Sequence, residues 1–345
     1  MTEGKDLLTS IATTIKDYSG FATAKPLPEH IDKWLSQFDG AVQLPLLREM
    51  NHVLSKTYYS FDKVNRFLTH LLTAEKLVGK DHCAFWKSMH FLDIQKGGNS
   101  QRDLLAIFNG ILKSSCGIGV TDCGKTPAAF VYVDDAIFSG NRVRRDIEEW
   151  LSSAAPNESK VHVVAIAVHS GGQHYANTRI QEHAKKIGKK VSITWWHAIE
   201  LEDRKTSTNA SDVLRSVRIP DVAAVQAYVA AMTHKQVLRT PGNLGTKSLF
   251  SSEDGRNLLE QEFLKSGVNI RSICSYLSAT QRPLGHMTLE TLGFGSLIVT
   301  FRNCPNNAPL ALWVGDPWYP LFPRTTNSQT ESRRMIERLL KGTFT

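Results

Sequence analysis

The chain has 345 residues, of which 41% are hydrophobic and 21% charged. These are the proportions of a globular protein with a large core and more than one structural unit, and they exclude a low-complexity or fibrous chain. No apolar run approaches the roughly 20 residues a membrane span needs, and the net charge of +8 permits a nucleic-acid or polyphosphate partner without requiring one.

The opening MTEGKDLLTSIATTIKDYSG carries acids and has no long apolar stretch, so a secretory signal is not expected there. Cys83, Cys116, Cys123, Cys274 and Cys304 are scattered, and none forms a CxxC pair. Neither a disulfide frame nor a zinc site is indicated, and the expectation is a cytoplasmic protein with free thiols.

Residues 1–80 read as helical. PLPEHIDKWLSQF puts Ile31, Trp34, Leu35 and Phe38 on one stripe, with Pro28 suited to a first helical turn. SFDKVNRFLTHLL repeats the pattern behind Ser60, a candidate cap. A winged-helix-like module and a plain helical cap both fit this region.

Between about 81 and 205 the pattern alternates. HFLDIQ, FVYV, VHVVAIAV and VSITWW read as strands, and RDLLAIFNGIL, RVRRDIEEWL and HYANTRIQEHAKKIG as the helices between them. Strands that are apolar throughout and alternate with helices imply a doubly wound, mostly parallel α/β sheet covered on both faces. Ligands in such sheets bind beyond the carboxyl ends of the strands. The basic KKIGKK stretch closes a helix before Gly188, where cations favour the helix dipole. Residues 206–345 are mixed α+β, with a helix in SSEDGRNLLEQEFLKSG capped by Ser251 or Ser252.

Two glycine motifs compete for a phosphate. GVTDCGKT, Gly119 to Thr126, matches the P-loop pattern, but only Pro127, Ala128 and Ala129 separate it from the next strand. A P-loop must open a helix, so this stretch reads as a surface turn. FVYVDDAIFSGNRVRR has the strand, loop and helix order that a phosphate site requires. Backbone amides of Ser139, Gly140, Asn141 and Arg142 would face the phosphate at a helix start, and Gly140 would allow a close approach. Asp134 and Asp135 would suit two adjacent sugar hydroxyls, directly or through a hydrated Mg²⁺, where the chain leaves the sheet. An acidic cap cluster in an unrelated α/β protein is the plainer alternative.

This stretch resembles the ribose-phosphate signature of type I phosphoribosyltransferases. Asp134 and Asp135 stand at its acid positions, Ser139 and Gly140 at the Thr/Ser and first Gly, and Asn141 and Arg142 depart from the small residues usual next. HIDKWLSQF, RPLG at Arg282 to Gly285, TFRNCPNNAPLALW and WYPLFPR are similar to landmarks of the phosphoribosyltransferase-like effectors of bacterial conflict systems. The resemblance implies a type I phosphoribosyltransferase-like fold, Mg²⁺ as cofactor, and phosphoribosyl pyrophosphate or a related nucleotide as ligand. It also implies an anti-phage effector partnered by a retron reverse transcriptase and its DNA–RNA product. An enzyme and a non-catalytic donor-binding module are both open.

Such an enzyme also needs a pyrophosphate loop. Lys96, Gly97, Gly98, Asn99 and Ser100, in KGGNSQ, are the candidates, with Asn99 or Ser100 as helix cap; turn punctuation is the other reading. His169 and His174 in HSGGQH could line an acceptor pocket or serve a turn. Glu200, Glu202 and Asp203 could assist a metal or form a solvated turn. Trp318, Tyr319, Phe322 and Arg324 could stack over a base or pack a terminal loop.

Overall fold

The structure is a computed structural model and describes residues 2–21, 26–96 and 99–324. The chain divides into two compact units. One comprises Phe61–Leu201, and the other combines Met1–Ser60 with the chain from Glu202 on. The segment 1–80 is therefore shared between the units, and its first sixty residues join the C-terminal portion rather than standing apart.

Unit Phe61–Leu201 is built on four strands: Met89–Phe91, Ala129–Ile137, Glu158–His169 and Lys190–Leu201. They lie in chain order across one sheet, and every pairing is parallel. Side chains alternate across a strand, so Phe130 and Tyr132 share a face with Val161, Val163 and Ala165. That face is covered by helix Asn141–Ser153 through Val143, Ile147, Trp150 and Leu151, and by helix Ser170–Lys186 through Ala176, Ile180 and Ala184. Each large aliphatic or aromatic side chain buried there contributes about 1.5–3 kcal/mol. Phe91 points to the opposite face, where its ring meets Phe108 of helix Ser100–Cys116 at 5.5 Å between centroids. Trp86 closes the same cluster at 4.9 Å from Phe108. Helices on both faces make this the expected doubly wound α/β core.

Three details differ from expectation. The first strand stops at Phe91, and Leu92 to Lys96 form a loop rather than continuing HFLDIQ as a strand. The second strand does not end at Val133. Asp134 pairs with Ala165 and Ala136 with Ala167, so both aspartates lie inside the ladder, not beyond it. Finally, Cys83 and Cys116 are disulfide-bonded, with Cα atoms 5.5 Å apart, while Cys123, Cys274 and Cys304 are free and buried. The free-thiol expectation failed because spacing rules look for local pairs. This one joins the start of helix His82–Lys87 to the last residue of helix Ser100–Cys116.

The GVTDCGKT stretch opens no helix. It makes a short 3₁₀ turn, Val120–Asp122, and Gly124, at φ 68°, passes close over His90. The KKIGKK stretch ends its helix as expected, and Lys189 Nζ donates to the carbonyls of Leu151 and Ala155, both at 2.6 Å.

In the other unit, helices Thr2–Thr14, Pro28–Leu35 and Gly40–Thr57 pack with the long helix Glu253–Ile273, whose N-cap is Ser252. Ser252 Oγ accepts from Gly255 N at 3.0 Å, while Ser251 is taken by Glu49. The Ile31, Trp34, Leu35 and Phe38 stripe is buried. Trp34 Nε1 donates to the Ala311 carbonyl at 2.8 Å. After Gly40–Thr57 comes a two-residue parallel pairing, Tyr58–Tyr59 with Val299–Thr300, in place of the hairpin a winged helix would carry. No described helix is long and apolar enough to cross a membrane.

Candidate active site at the strand ends

Two loops leave adjacent parallel strands at their carboxyl ends: one begins with Leu92 to Lys96 after the first, and the other is Phe138 to Gly140 after the second. Gly97 and Gly98 lie outside the described residues. A buried polar cluster around Asp134 ties the first of these loops to the second strand. Ser100 Oγ lies 2.7 Å from Asp134 Oδ1, and Gln95 Nε2 donates to Oδ2 at 3.2 Å. The Asp135 amide also donates to Asp134 Oδ1, at 2.9 Å. Gln101 holds the loop from behind, its Oε1 accepting from the amides of Ile94 and Gln95 at 2.9 Å each.

Asp134 is 4% exposed, and its carboxyl is pushed up to about 7. Burial is the first cause and the neighbouring Asp135 charge the second; the Ser100 hydroxyl opposes both. Near neutral pH this acid therefore sits between its charged and neutral forms. Asp135 is half-buried, and its Oδ1 accepts from the Ala136 amide at 2.8 Å. Beneath them, the Tyr132 hydroxyl donates to Asp146 Oδ2 at 2.7 Å, linking the sheet to helix Asn141–Ser153. Burial holds the Tyr132 phenol above its ordinary range.

Among the proposed phosphate-loop residues, Ser139 is exposed, and its Oγ accepts only a long bond, 3.4 Å, from the Asn141 amide. Gly140 caps helix Asn141–Ser153 at φ 70°, and a Cβ there would fall 2.1 Å from the Gly172 carbonyl oxygen. The close crossing of helix Ser170–Lys186 by itself requires a glycine at this position. Arg142 is exposed, and its charge lowers the proton affinity of both Asp134 and Asp146.

The pyrophosphate-loop candidates also separate. Ser100 is not a cap; it is the first residue of its helix and turns its hydroxyl to Asp134. Asn99 occupies the cap position without a side-chain bond. Lys96 is exposed and ion-paired with Glu149 of helix Asn141–Ser153. Structure thus brings together Ser100 and Asp134, which are 34 residues apart in sequence. Gln95, Gln101, Tyr132 and Asp146 complete the cluster. Their signal was weak because a glutamine in a loop and a tyrosine in a strand acquire meaning only from their neighbours.

The PRTase-CE family model matches residues 31–324. The chain belongs to the PRTase-CE family, a phosphoribosyltransferase-like group. No curated protein and no solved structure matches it.

In this PRTase-CE chain the remaining candidates fall in varied surroundings. HSGGQH is not a turn: His169 is buried at the end of its strand, and His174 is exposed on the helix that follows. Helix Ser170–Lys186 begins directly after His169, and Gly172 packs against Phe138 and Gly140. Ser170 Oγ donates to Glu200 Oε1 at 2.8 Å within the same unit. In the other unit Glu202 is ion-paired with Arg204, and Asp203 is buried. Trp318 and Phe322 are buried in that unit's core rather than stacked as a lid, and Tyr319 OH is hydrogen-bonded to His30 Nδ1 at 2.8 Å. Arg324 lies over the Trp313 ring, 4.8 Å from its centroid.

Proposed function

We propose that this protein binds phosphoribosyl pyrophosphate, or a related nucleotide, at the strand ends and transfers the ribosyl phosphate to an acceptor. The carrying observation is the Ser100–Asp134–Gln95 cluster, which ties the loop after the first strand to the acid pair of the second. A donor with a sugar between two phosphates needs two such loops held in register; inside the ladder Asp134 and Asp135 turn to opposite faces, so each would meet the sugar from its own side of the strand end.

Mg²⁺ fits the donor set, since Asp135 offers a half-buried hard oxygen ligand beside a second carboxylate. Asp134 and Asp135 would hold it indirectly, through water, and when bound it would offset charge on a departing pyrophosphate. Ser139, Asn141 and Arg142 would orient the 5-phosphate at the helix start, with the Gly140 amide. Asp134, poised near neutrality, would lose its proton as a cationic complex arrives.

A second reading is a donor-binding module without chemistry. It is favoured by the oxygens of Asp134 already being engaged by Ser100 and Gln95, and by the closure of Gly140 on Gly172. Both readings place the protein in the cytoplasm. The enzyme would be the effector of an anti-phage system partnered by a retron reverse transcriptase and its DNA–RNA product, and the module a regulator or docking partner of the reverse transcriptase–DNA complex; this part rests on the resemblance of the sequence landmarks alone.

Calorimetric titration of phosphoribosyl pyrophosphate with Mg²⁺ tests the site. Asp134→Asn and Asp135→Asn should each weaken binding at least tenfold, and affinities equal to wild type would remove the assignment. Pyrophosphate release on incubation with donor and nucleobases or nucleic acid then separates the enzyme from the module.

A further inference from the structure

Outside the strand-end cluster, one group of metal-ligating side chains stands out in unit Phe61–Leu201. His82, Cys83 and Cys116 offer one imidazole nitrogen and two sulfurs, all within 4.8 Å of one another. The residues come from two elements: His82 and Cys83 open helix His82–Lys87, and Cys116 closes helix Ser100–Cys116. All three are half-buried, so solvent, ions and thiol reagents reach them. The two sulfurs are bonded to each other, and the remaining three cysteines are buried and free.

We propose that this cluster is a redox-gated site for a zinc-class divalent cation. With the disulfide formed, the sulfurs are spent and the imidazole alone holds no ion. A dithiol or phosphine reductant supplies two electrons, and with two protons the S–S bond becomes two thiols. Thiolates, not thiols, ligate metals, so the incoming cation displaces both thiol protons to solvent. Two thiolates and an imidazole form a soft to borderline donor set that selects zinc-class ions over Mg²⁺. Tetrahedral bonds of about 2.0–2.3 Å place ligand atoms roughly 3.5 Å apart, which lies within the 4.8 Å that the three ligand atoms already span. Water takes the fourth place. In the reverse direction a disulfide oxidant such as glutathione disulfide takes two electrons from the thiolates and two protons from solvent, leaves as two thiols, and expels the cation as the Cys83–Cys116 bond forms.

The position gives the site a consequence. Cys116 ends the helix whose first residue, Ser100, is bonded to Asp134. Disulfide and metal clamp the far end of that helix in two different ways.

The test uses the full chain and zinc chloride alone, with a chromophoric chelator as competitor. Phosphine-reduced wild type should bind one zinc per chain, and the oxidised protein none. This comparison needs no variant. Cys116→Ser should lose at least a hundredfold in affinity and His82→Ala at least tenfold, while Cys123→Ser should bind as wild type. Glutathione disulfide should release the bound zinc as the Cys83–Cys116 bond re-forms. Equal binding by reduced and oxidised chains, no binding by the reduced chain, or wild-type affinity in Cys116→Ser would each overturn the proposal.

Discussion

Asp134 is the residue on which the site turns, and its environment has a measurable signature. The folded protein holds its proton up to about pH 7, whereas an unperturbed aspartate releases it near 3.8. The cost of burying the charged carboxylate is therefore absent below about 3.8, grows as pH rises, and is complete above about 7. At its fullest this is on the order of a few kcal/mol. Thermal melts of the ligand-free protein should show stability falling between about pH 4 and pH 7, and Asp134→Asn should flatten that fall. A parallel slope in the variant would mean that Asp134 is not the group responsible. Removing the hydroxyl in Ser100→Ala takes away a hydrogen bond that favours the charged form, so donor affinity should fall at neutral pH and recover as pH is raised. Titrations at pH 6.5 and pH 8.5 check this.

At the scale of elements, the crossing of helix Ser170–Lys186 over the Phe138 to Gly140 loop sets the loop's shape. A Cβ on Gly172 would lie 1.9 Å from the Phe138 carbonyl oxygen, and backbone cannot give way as a side-chain tip can. Gly172→Ala should cost about 1–3 kcal/mol by overpacking and should weaken donor binding by displacing Ser139. Urea unfolding and donor titration read the two effects. Sequence periodicity made helix Asn141–Ser153 legible through Val143, Ile147, Trp150 and Leu151, all of which are buried. It placed the strand end too early, because two acids after FVYV look like a boundary while the backbone ladder continues to Ile137. Pairing with Ala165 and Ala167 comes from the neighbouring strand, and no local signal reports it.

For the whole molecule, the unit formed by the two chain ends is held by a buried ionic network. Glu260 is fully buried; it accepts from Arg256 Nε at 2.8 Å, Arg239 Nε at 2.9 Å and the Arg215 amide at 3.0 Å. Burial pushes the Glu260 carboxyl up, against the two guanidinium charges, and pushes the Arg256 guanidinium down. Glu260→Leu would leave the buried Arg256 without a carboxylate and Arg239 with Glu253 alone, and should destabilise by about 3–5 kcal/mol, measurable by denaturant titration. A loss below 1 kcal/mol would mean that water reaches the network. Of the helical region 1–80, which fitted a winged-helix-like module or a plain cap, the first sixty residues are fastened to the C-terminal portion in this unit. Trp34 reaches the Ala311 carbonyl and Tyr58 pairs with Val299, contacts that span more than 200 residues.

The sequence by itself determined the α/β alternation, the three helices between the core strands, the exclusion of the P-loop look-alike and the acid pair as the candidate sugar site. These depend on local periodicity and on whether a helix can follow a turn, which neighbouring residues decide. Only the tertiary structure decided that Gly140 serves a helix crossing, that Ser100 and Gln95 hold Asp134, and that Cys83 meets Cys116. Each of these is a contact between segments distant in the chain, and composition and spacing carry no information about which distant surfaces burial will press together.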